Sequence, residues 1–533
     1  MDTAALLALP AYDAAIPRKL EELLKWTTDG ERYLPAASDE TIMTRLQPHH
    51  IKLQLKRRKI FRQAKQKGAC KAFLVPEHAK HRFRFIQHPK LANDKTKKDD
   101  KVRFTPFYER HNAVLKGKYV IDLDWSAFFD QFELSDEVAP YFSFAVRDGT
   151  VYSMRVLPMG LKHSVSIAHT ATLQLLNFNP ESYVEAYIDN VRIVSDDPQA
   201  VIRDAARLLM RCAAARITVN EADIGPIRDA VGDSKRAVAT EMASGLLKQA
   251  GPWLGEQYDY AAKTVQMCDK TRAKVQICLD AKRPTFRTFA ATAGILQYAS
   301  RTLNLSLAPY YASRRAFSDV AWFLEHCPDH WDKPLPPLCD AVTANLKRWR
   351  DDVLAAKPRV MKAPEFPDLV IIVDASDTGW GALSFDAHGR ETFVAERWST
   401  SDKRAFDTRV STRAEPEGLY RACCAMIARD RHRAVHIMSD SSAATGAINK
   451  GSSGSYWMNY VCVKLQAAFP EVAIQVTHTP GARNPADGVS RGEAEPSADD
   501  WARGREIADA AKATLVAGRR GATQEVGGSD IPT

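Results

Sequence analysis

A chain of 533 residues, 45% hydrophobic and 26% charged, is globular and long enough for two to four domains. No run of eighteen apolar residues occurs, so no membrane-spanning helix is expected, and Met1–Pro10 lacks the basic start of a secretory leader. The nine cysteines are scattered without a Cys-x-x-Cys pair, which fits a reducing intracellular compartment, cytoplasm or nucleus, and argues against a zinc ribbon.

Residues 1–40 hold two weak helical patterns, and Leu46 to Gly68 is helical and strongly basic. Two strands follow, Lys71–Pro76 and Arg82–Ile86, joined by a basic turn that includes Lys80. Alternation sets Arg82, Arg84 and Ile86 on one face, Phe83 and Phe85 on the other. From Arg45 to Lys118 there are 22 Lys and Arg against five acids, far more lopsided than the whole chain's +9. Because Phe61, Phe73, Phe83, Phe85, Phe104, Phe107 and Tyr108 interleave with the cations, the segment can fold and stay basic. Such a surface neutralises phosphates.

Tyr119–Asp124 is a strand with Asp122 and Asp124 on one face, followed by an aromatic run holding Phe128 and Phe129. Leu157-Pro158-Met159-Gly160 is a turn that opens a helix reaching about Leu176. Ala186–Val194 then reads as two short strands across the Asp189-Asn190 pair, residues that favour tight turns. Taken alone this is an ordinary hairpin. With an acid on the strand upstream, it could hold Mg²⁺, which is bound by one or two carboxylates and leaves positions for substrate phosphates. Asp197–Ala215 is an amphipathic helix, and Trp253–Tyr260 a hairpin. Phe286, Phe289, Ala293, Leu296, Ala299 and Leu303 recur at helical spacing, and residues 328–367 are Pro-rich, like a domain junction.

A second pattern starts at Leu369. Strands ending in Asp374 and in Asp440 flank a helix with Glu415, and Asn484-Pro485-Ala486-Asp487 opens a last turn or helix. Each acid alone is a routine cap or surface charge. Pro416 next to Glu415 belongs in a helix's first turn, so the helix is expected to start there, with Glu417 as the alternative ligand.

These residues resemble two known families. Tyr187-Ile188-Asp189-Asn190 resembles the Tyr-x-Asp-Asp box of reverse transcriptases, with asparagine in place of the second acid. The order Asp374, Glu415, Asp440, Asp487, set in Asp-Ala-Ser, Gly-Trp-Gly-Ala, Ser-Asp-Ser and Asn-Pro-Ala-Asp, resembles ribonuclease H. The resemblance implies an α+β right-hand polymerase followed by an α/β ribonuclease H-like domain. It divides the chain into a helical, basic extension (1–69), fingers and palm (70–260), thumb or connection helices (261–327), a Pro-rich linker (328–367), the ribonuclease H-like domain (368–492) and a tail (493–533) that is disordered or loosely attached.

The family's roles follow residue by residue. Asp124 and Asp189, with Asn190, are the polymerase ligands, and Asp122 is the alternative on the same strand. Phe129 is the gate beneath the sugar, Arg84 with Lys80 or Arg82 holds the nucleotide's phosphates, and Met159-Gly160 supports the base pair. Tyr187 belongs to the catalytic box, and Trp253 opens the hairpin that grips the primer. Two Mg²⁺ ions, or Mn²⁺, are implied at each site. The implied partners are an RNA template, a DNA primer, the RNA–DNA hybrid and deoxynucleoside triphosphates, with no membrane. The boxes are most similar to those of tyrosine-recombinase retrotransposons, the DIRS-like group with the trypanosomatid VIPER elements. Two other readings stay open: a decayed element that binds nucleic acid without polymerising, favoured by Asn190, and a ribonuclease H whose front half only clamps the hybrid.

Overall fold

Alternating apolar residues on three short strands set the sheet around which residues 1–265 are built. The elements that frame it are α1 (Ala15–Thr28), α2 (Pro48–Lys56), β1 (Ile60–Arg62), β2 (Lys71–Glu77), β3 (Arg82–His88), α3 (Phe107–His111) and β4 (Tyr119–Asp124). There follow β5 (Ser143–Ala145), β6 (Val151–Met154), α4 (Ser164–Leu175), β7 (Tyr183–Tyr187), β8 (Asn190–Ser195), α5 (Pro198–Ala214), α6 (Asp233–Gly245), β9 (Ala250–Trp253) and β10 (Glu256–Asp259). This computed structural model describes residues 1–29, 42–63, 67–77, 82–95, 102–281, 283–362, 367–428 and 431–521. Two compact units divide the chain, Met1–Val265 and Gln266–Thr533.

The central sheet of the first unit is antiparallel, in the order β4-β8-β7. Asp124 faces Asn190 and Asp122 faces Arg192, while Glu185 faces Arg192 and Tyr187 faces Asn190. Opposed residues in an antiparallel pair share a face. One face therefore carries Asp122, Asp124, Asn190, Arg192, Glu185 and Tyr187. The other carries Ile121, Leu123, Val191 and Ile193, all at most 1% exposed, which join Ile167 and Ala171 of α4 and Val201, Ala205 and Leu209 of α5 in one core. Burying each such Ile or Leu is worth about 1.5–3 kcal/mol, so the apolar face fixes where the polar face looks.

Leu20, Leu24 and Trp26 of α1 join the same core, and β1 pairs with β6. The stretch 1–69 is thus part of the first unit's fold rather than an extension of it. β2 and β3 form the expected hairpin, with Phe85 buried and Phe83 exposed.

The second unit begins with α7 (Asp269–Ile277), α8 (Phe286–Thr302), α9 (Tyr311–His326) and α10 (Asp340–Ala355). The apolar stripe of α8 is buried as expected. Leu346, Trp349 and Val353 of α10 are buried with it, and Trp349 stacks on Tyr310 (5.0 Å) and donates to Ser300 Oγ (2.8 Å). The Pro-rich stretch 328–367 holds α10, and that helix packs its apolar face into the second unit.

Next come β11 (Leu369–Ala375), β12 (Gly379–Asp386), β13 (Glu391–Arg397), α11 (Ser411–Met426), β14 (Ala434–Ser439), α12 (Ser442–Lys450), α13 (Tyr456–Ala468), β15 (Ala473–His478), α14 (Asp487–Arg491) and α15 (Ala498–Gly521). The sheet order is β13-β12-β11-β14-β15, antiparallel over the first three and parallel from β11 through β15. The tail docks as α15. Trp501 packs on Phe385 (5.9 Å) and Phe393 (6.3 Å), Arg505 pairs with Glu391, and Ala508 is buried. The expectation of a loose tail fails over these residues, and 522–533 lie outside those described. The fold class is the expected one: an α+β unit around an antiparallel sheet, then an α/β domain on a mixed five-stranded sheet.

Candidate active sites

The first site lies at the open end of the polar face. A two-residue loop, Ile188-Asp189, joins β7 to β8, and Ile188 takes φ +59°, a left-handed value that costs a β-branched residue about 1–3 kcal/mol. Two bonds hold it there. Ile188 N–H donates to His169 Nδ1 (3.2 Å), and Thr172 Oγ1, itself bonded by Trp125 Nε1, donates to Ile188 C=O (2.6 Å). Burial, reinforced by the charge of Lys19, lowers His169 to about 4, so the ring is neutral and its nitrogen can accept. The strained turn carries Asp189 next to Asp124, and Trp125 N–H donates to Asp189 C=O (2.9 Å).

The two carboxylates act on each other. Burial raises the Asp189 pKa, the charge of Asp124 raises it further, and Asn190 and the Arg84 cation oppose the rise. Asn190 Nδ2 donates to Asp189 Oδ1 (2.9 Å). Asp124 is held from the far side: Asn220 Nδ2 donates to its Oδ2 (2.7 Å), and its own N–H donates to Glu221 Oε2 (2.8 Å). Sequence reasoning missed Asn220 and Glu221, which lie almost a hundred residues downstream in a loop without a pattern.

Asp122 is placed elsewhere. Its Oδ1 is buried without a hydrogen-bond partner, and a Cβ built on Gly251 would stand 2.9 Å from its Oδ2, so the β9–β10 hairpin covers it. Burial lifts its pKa to about 6 against the pull of Arg192 and Lys248. The strand's acid that meets the turn is Asp124, whereas the alternative, Asp122, lies two residues back under the hairpin.

After β4 the chain turns at Ala127 (φ +45°) into the single turn Phe128–Gln131. Phe128 points into the core near Trp125 and Phe132, and Phe129 stays partly exposed. This explains how a bulky residue is tolerated at 128. Tyr187 packs under Phe104 (4.5 Å) and the Arg110 guanidinium (5.3 Å). Arg84 is exposed on β3; Lys80 and the side chain of Arg82 lie outside the described residues.

Two expectations change. Gly160 was expected to admit a base pair, but a Cβ there would sit 2.3 Å from Gln87 C=O, and Gly160 N–H donates to that same oxygen (3.0 Å). Its missing side chain lets the turn dock on β3. Met159 N–H faces Gln87 Oε1 (3.4 Å). Trp253 is 3% exposed, with the Arg192 guanidinium 5.1 Å from its ring, so it cannot stack on a primer. What the β9–β10 hairpin presents is its turn, Leu254-Gly255, both at positive φ.

The second site forms at the carboxyl ends of β11 and β14. Gly418 of α11 has no room for a side chain, since a Cβ would lie 2.8 Å from that of Ala375, and this close fit brings α11 onto β11. Gly381 does the same for α14: a Cβ would meet Val489 Cγ2 at 2.6 Å. Ser490 Oγ then donates to Asp374 Oδ2, and Asn484 Nδ2 to Val373 C=O (3.0 Å). Burial raises Asp374 to about 6; Ser490 opposes this, and the charges of Asp440 and Asp487 add to it. Glu415 is raised by burial, with Ser441 opposing and Asp440 adding. Asp440 is raised by burial and by Asp487, with His478 opposing. Asp487 is bonded by Arg491 Nε (2.9 Å).

The four acids thus share one electrostatic site. Glu417, the alternative to Glu415, pairs with Arg421 (3.3 Å) and Lys464 (3.1 Å) instead. Helix α11 starts at Ser411, five residues before Pro416, so the proline lies inside the helix and the expected start is corrected. Glu415 reaches the site from the second turn.

Among the described residues no three His, Cys, Asp or Glu side chains already stand together as an ion cluster. The donors nevertheless fit Mg²⁺. At the first site the charge of Asp124 raises Asp189, and at the second the charges of Asp440 and Asp487 raise Asp374, a repulsion that a bound cation would relieve. Two carboxylates at the first site match the usual protein share of a Mg²⁺ shell. No described helix is long and apolar enough to cross a membrane.

No curated protein sequence matches the chain. Among solved structures it is similar to the foamy viral protease-reverse transcriptase dRH in complex with double-stranded DNA: 11% identity, TM-score 0.46, covering 90% of this chain and 81% of that one. It is also similar to the foamy viral protease-reverse transcriptase in complex with RNA/DNA hybrid: 12% identity, TM-score 0.46, covering 93% of this chain and 64% of that one. Residues 65–222, which hold Asp124, Asp189 and the turn between them, match the family described as reverse transcriptase (RNA-dependent DNA polymerase), and this segment is a reverse transcriptase domain.

Proposed function

We propose that the chain copies RNA into DNA and cleaves the RNA strand of the resulting hybrid. The observation that carries the reading is the charge coupling of Asp124 on the strand to Asp189 on a strained turn, inside the segment that matches the reverse transcriptase family. Mg²⁺ held by these acids would stabilise the attacking and leaving oxygens of an in-line displacement. Asp124 and Asp189 fix the catalytic charge, and Asn220 and Glu221 keep Asp124 from turning away. Arg84, whose charge reaches Asp189, faces where nucleotide phosphates would lie. Phe129 closes the sugar side, and the basic surface from 45 to 118 holds template and primer.

Asp374, Glu415, Asp440 and Asp487 supply the hybrid-cleaving site in the same way. Their support is the four-acid electrostatic coupling on a ribonuclease H-like sheet. A retrotransposon of the tyrosine-recombinase, DIRS-like group is the source we favour, on the wording of the three boxes. A second reading, a decayed polymerase that only binds nucleic acid, has Asn190 in its favour. Primer extension on an RNA template in Mg²⁺ and in Mn²⁺, run beside hybrid cleavage, separates them. Extension supports the first reading; cleavage or binding without extension in either metal supports the second.

A further inference from the structure

A fully enclosed charge of the first unit has no part in the chemistry described so far. Arg192 lies on β8, two residues beyond Asn190, and is 0% exposed. Its Nε donates to Glu185 Oε2 on β7 (2.7 Å), and one terminal nitrogen meets the same oxygen at 2.5 Å. That nitrogen also donates to the C=O of Arg110 in α3 (2.6 Å), and the other donates to Tyr260 Oη (3.3 Å). The guanidinium plane lies 4.6 Å from the ring of Tyr258 and 5.1 Å from that of Trp253, one from each strand of the β9–β10 hairpin. Across the sheet it faces Asp122.

A buried ion pair is a poor way to stabilise a fold, because desolvation cancels most of the attraction and an apolar pair of similar volume often does better. What a guanidinium offers is direction: five donors in a rigid fork that accept only one arrangement of their partners. Here the fork binds β7, α3 and the residue after β10 at once, and aromatic rings of the hairpin clamp both strands to it. An apolar side chain would fill this space, but it would let the hairpin slide along the sheet.

We propose that Arg192 is a positioning residue that locks the β9–β10 hairpin to the catalytic strand, so that the Asp189 turn and the Leu254-Gly255 turn move as one body. The effect on catalysis rests on the polymerase reading; the lock itself does not. Rate depends on it because small displacements of groups around a reacting centre cost large factors in turnover.

The test uses the full chain with Arg192→Lys, Arg192→Met and Tyr260→Phe. Arg192→Lys keeps the charge next to Glu185 and loses the fork; Tyr260→Phe removes only the bond from the hairpin side. Hydrogen exchange of the amides in 250–259 is measured with the melting temperature and the kcat and KM of primer extension. The expected result for Arg192→Lys is at least tenfold faster exchange in 250–259 and a kcat lowered at least tenfold. Its melting temperature and nucleotide KM stay close to wild type. Tyr260→Phe shows the same pattern, weaker, and remains informative if Arg192→Met does not fold. Unchanged exchange in 250–259 for both Arg192→Lys and Tyr260→Phe overturns the lock. A kcat that simply follows melting temperature across the variants assigns Arg192 a purely structural role and overturns the positioning. If wild type extends no primer, the polymerase reading fails, and the exchange data still decide the lock.

Discussion

Asn190 Nδ2 donates to Asp189 Oδ1 over 2.9 Å, so the amide that stands in the place of a second acid is bonded to the first. This bond opposes the rise in Asp189 pKa caused by burial and by Asp124. It also occupies an oxygen that a metal would otherwise use. Mg²⁺ needs near-ideal octahedral oxygen geometry and dehydrates reluctantly, and Mn²⁺ takes mixed oxygen and nitrogen sites. Extension is therefore expected to be weak in Mg²⁺ and stronger in Mn²⁺. Asn190→Asp should raise the Mg²⁺ rate by roughly tenfold, the scale of a ligand-environment change, and Asp189→Asn should silence synthesis in both metals. If Asn190→Asp leaves the ratio of Mg²⁺ to Mn²⁺ rates untouched, the amide is not what limits the site.

Asp122 offers a test of which strand acid does the chemistry. Its pKa in the fold is about 6, above the ordinary 3.8, because burial disfavours the charged form. Between those values the folded chain holds more protons than the unfolded one, so stability falls as pH rises through the window. The loss, complete above about pH 7, amounts to at most about 3 kcal/mol. Asp122→Asn should remove it: the variant melts higher than wild type at pH 7.5 and level with it near pH 4. It should keep primer extension, which Asp124→Asn abolishes. Loss of extension in Asp122→Asn with the fold intact would return the catalytic role to Asp122.

Phe128 and Phe129 divide their tasks by burial, the first wholly in the core and the second packed against it but partly exposed. Phe129→Ala should leave deoxynucleotide use nearly unchanged and relax rejection of ribonucleotides by roughly tenfold to a hundredfold, the range a steric pocket commands over one hydroxyl. Steady-state kinetics with paired nucleotides reads it. Unaltered sugar selectivity would remove Phe129 from the nucleotide's path.

What could be seen in the sequence was periodic or local. The strands Tyr119–Asp124 and Ala434–Ser439, with the acids at their ends, and the helix Pro198–Ala214 are where the pattern put them. The hairpin turn falls one residue before the expected Asp189-Asn190 pair, at Ile188-Asp189, because Asn190 already belongs to β8 and pairs with Tyr187. What could not be seen depended on partners far along the chain. Nothing near Asn220 and Glu221 announces that they grip Asp124, and Trp253 looks like a surface aromatic until Arg192 is found against its ring. The Pro-rich stretch is expected to hold one helix, and α10 is that helix. That its Leu346, Trp349 and Val353 are buried against α8 depends on partners some fifty residues away and could not be read locally. Pro416 misplaced the start of α11, because the usual rule against proline inside a helix was broken by the fold.

Glu415 and Glu417 offer a test of the proposed hybrid-cleaving site, because they are two residues apart on one helix and face different neighbours. Glu415 feels the charge of Asp440, and Glu417 is held by Arg421 and Lys464. Glu415→Gln should abolish cleavage of an RNA–DNA hybrid while leaving the melting temperature within a few degrees and primer extension intact, as should Asp440→Asn. Glu417→Gln breaks charge-assisted bonds of a nearly buried carboxylate, at a cost of about 2 kcal/mol. It should lower the melting temperature of the second unit and spare cleavage below it. Double-variant analysis of Glu417→Gln with Lys464→Met should show strong coupling in stability, and Glu415→Gln with Lys464→Met none. Cleavage that survives Glu415→Gln but is lost in Glu417→Gln at a temperature where both remain folded would exchange the two roles.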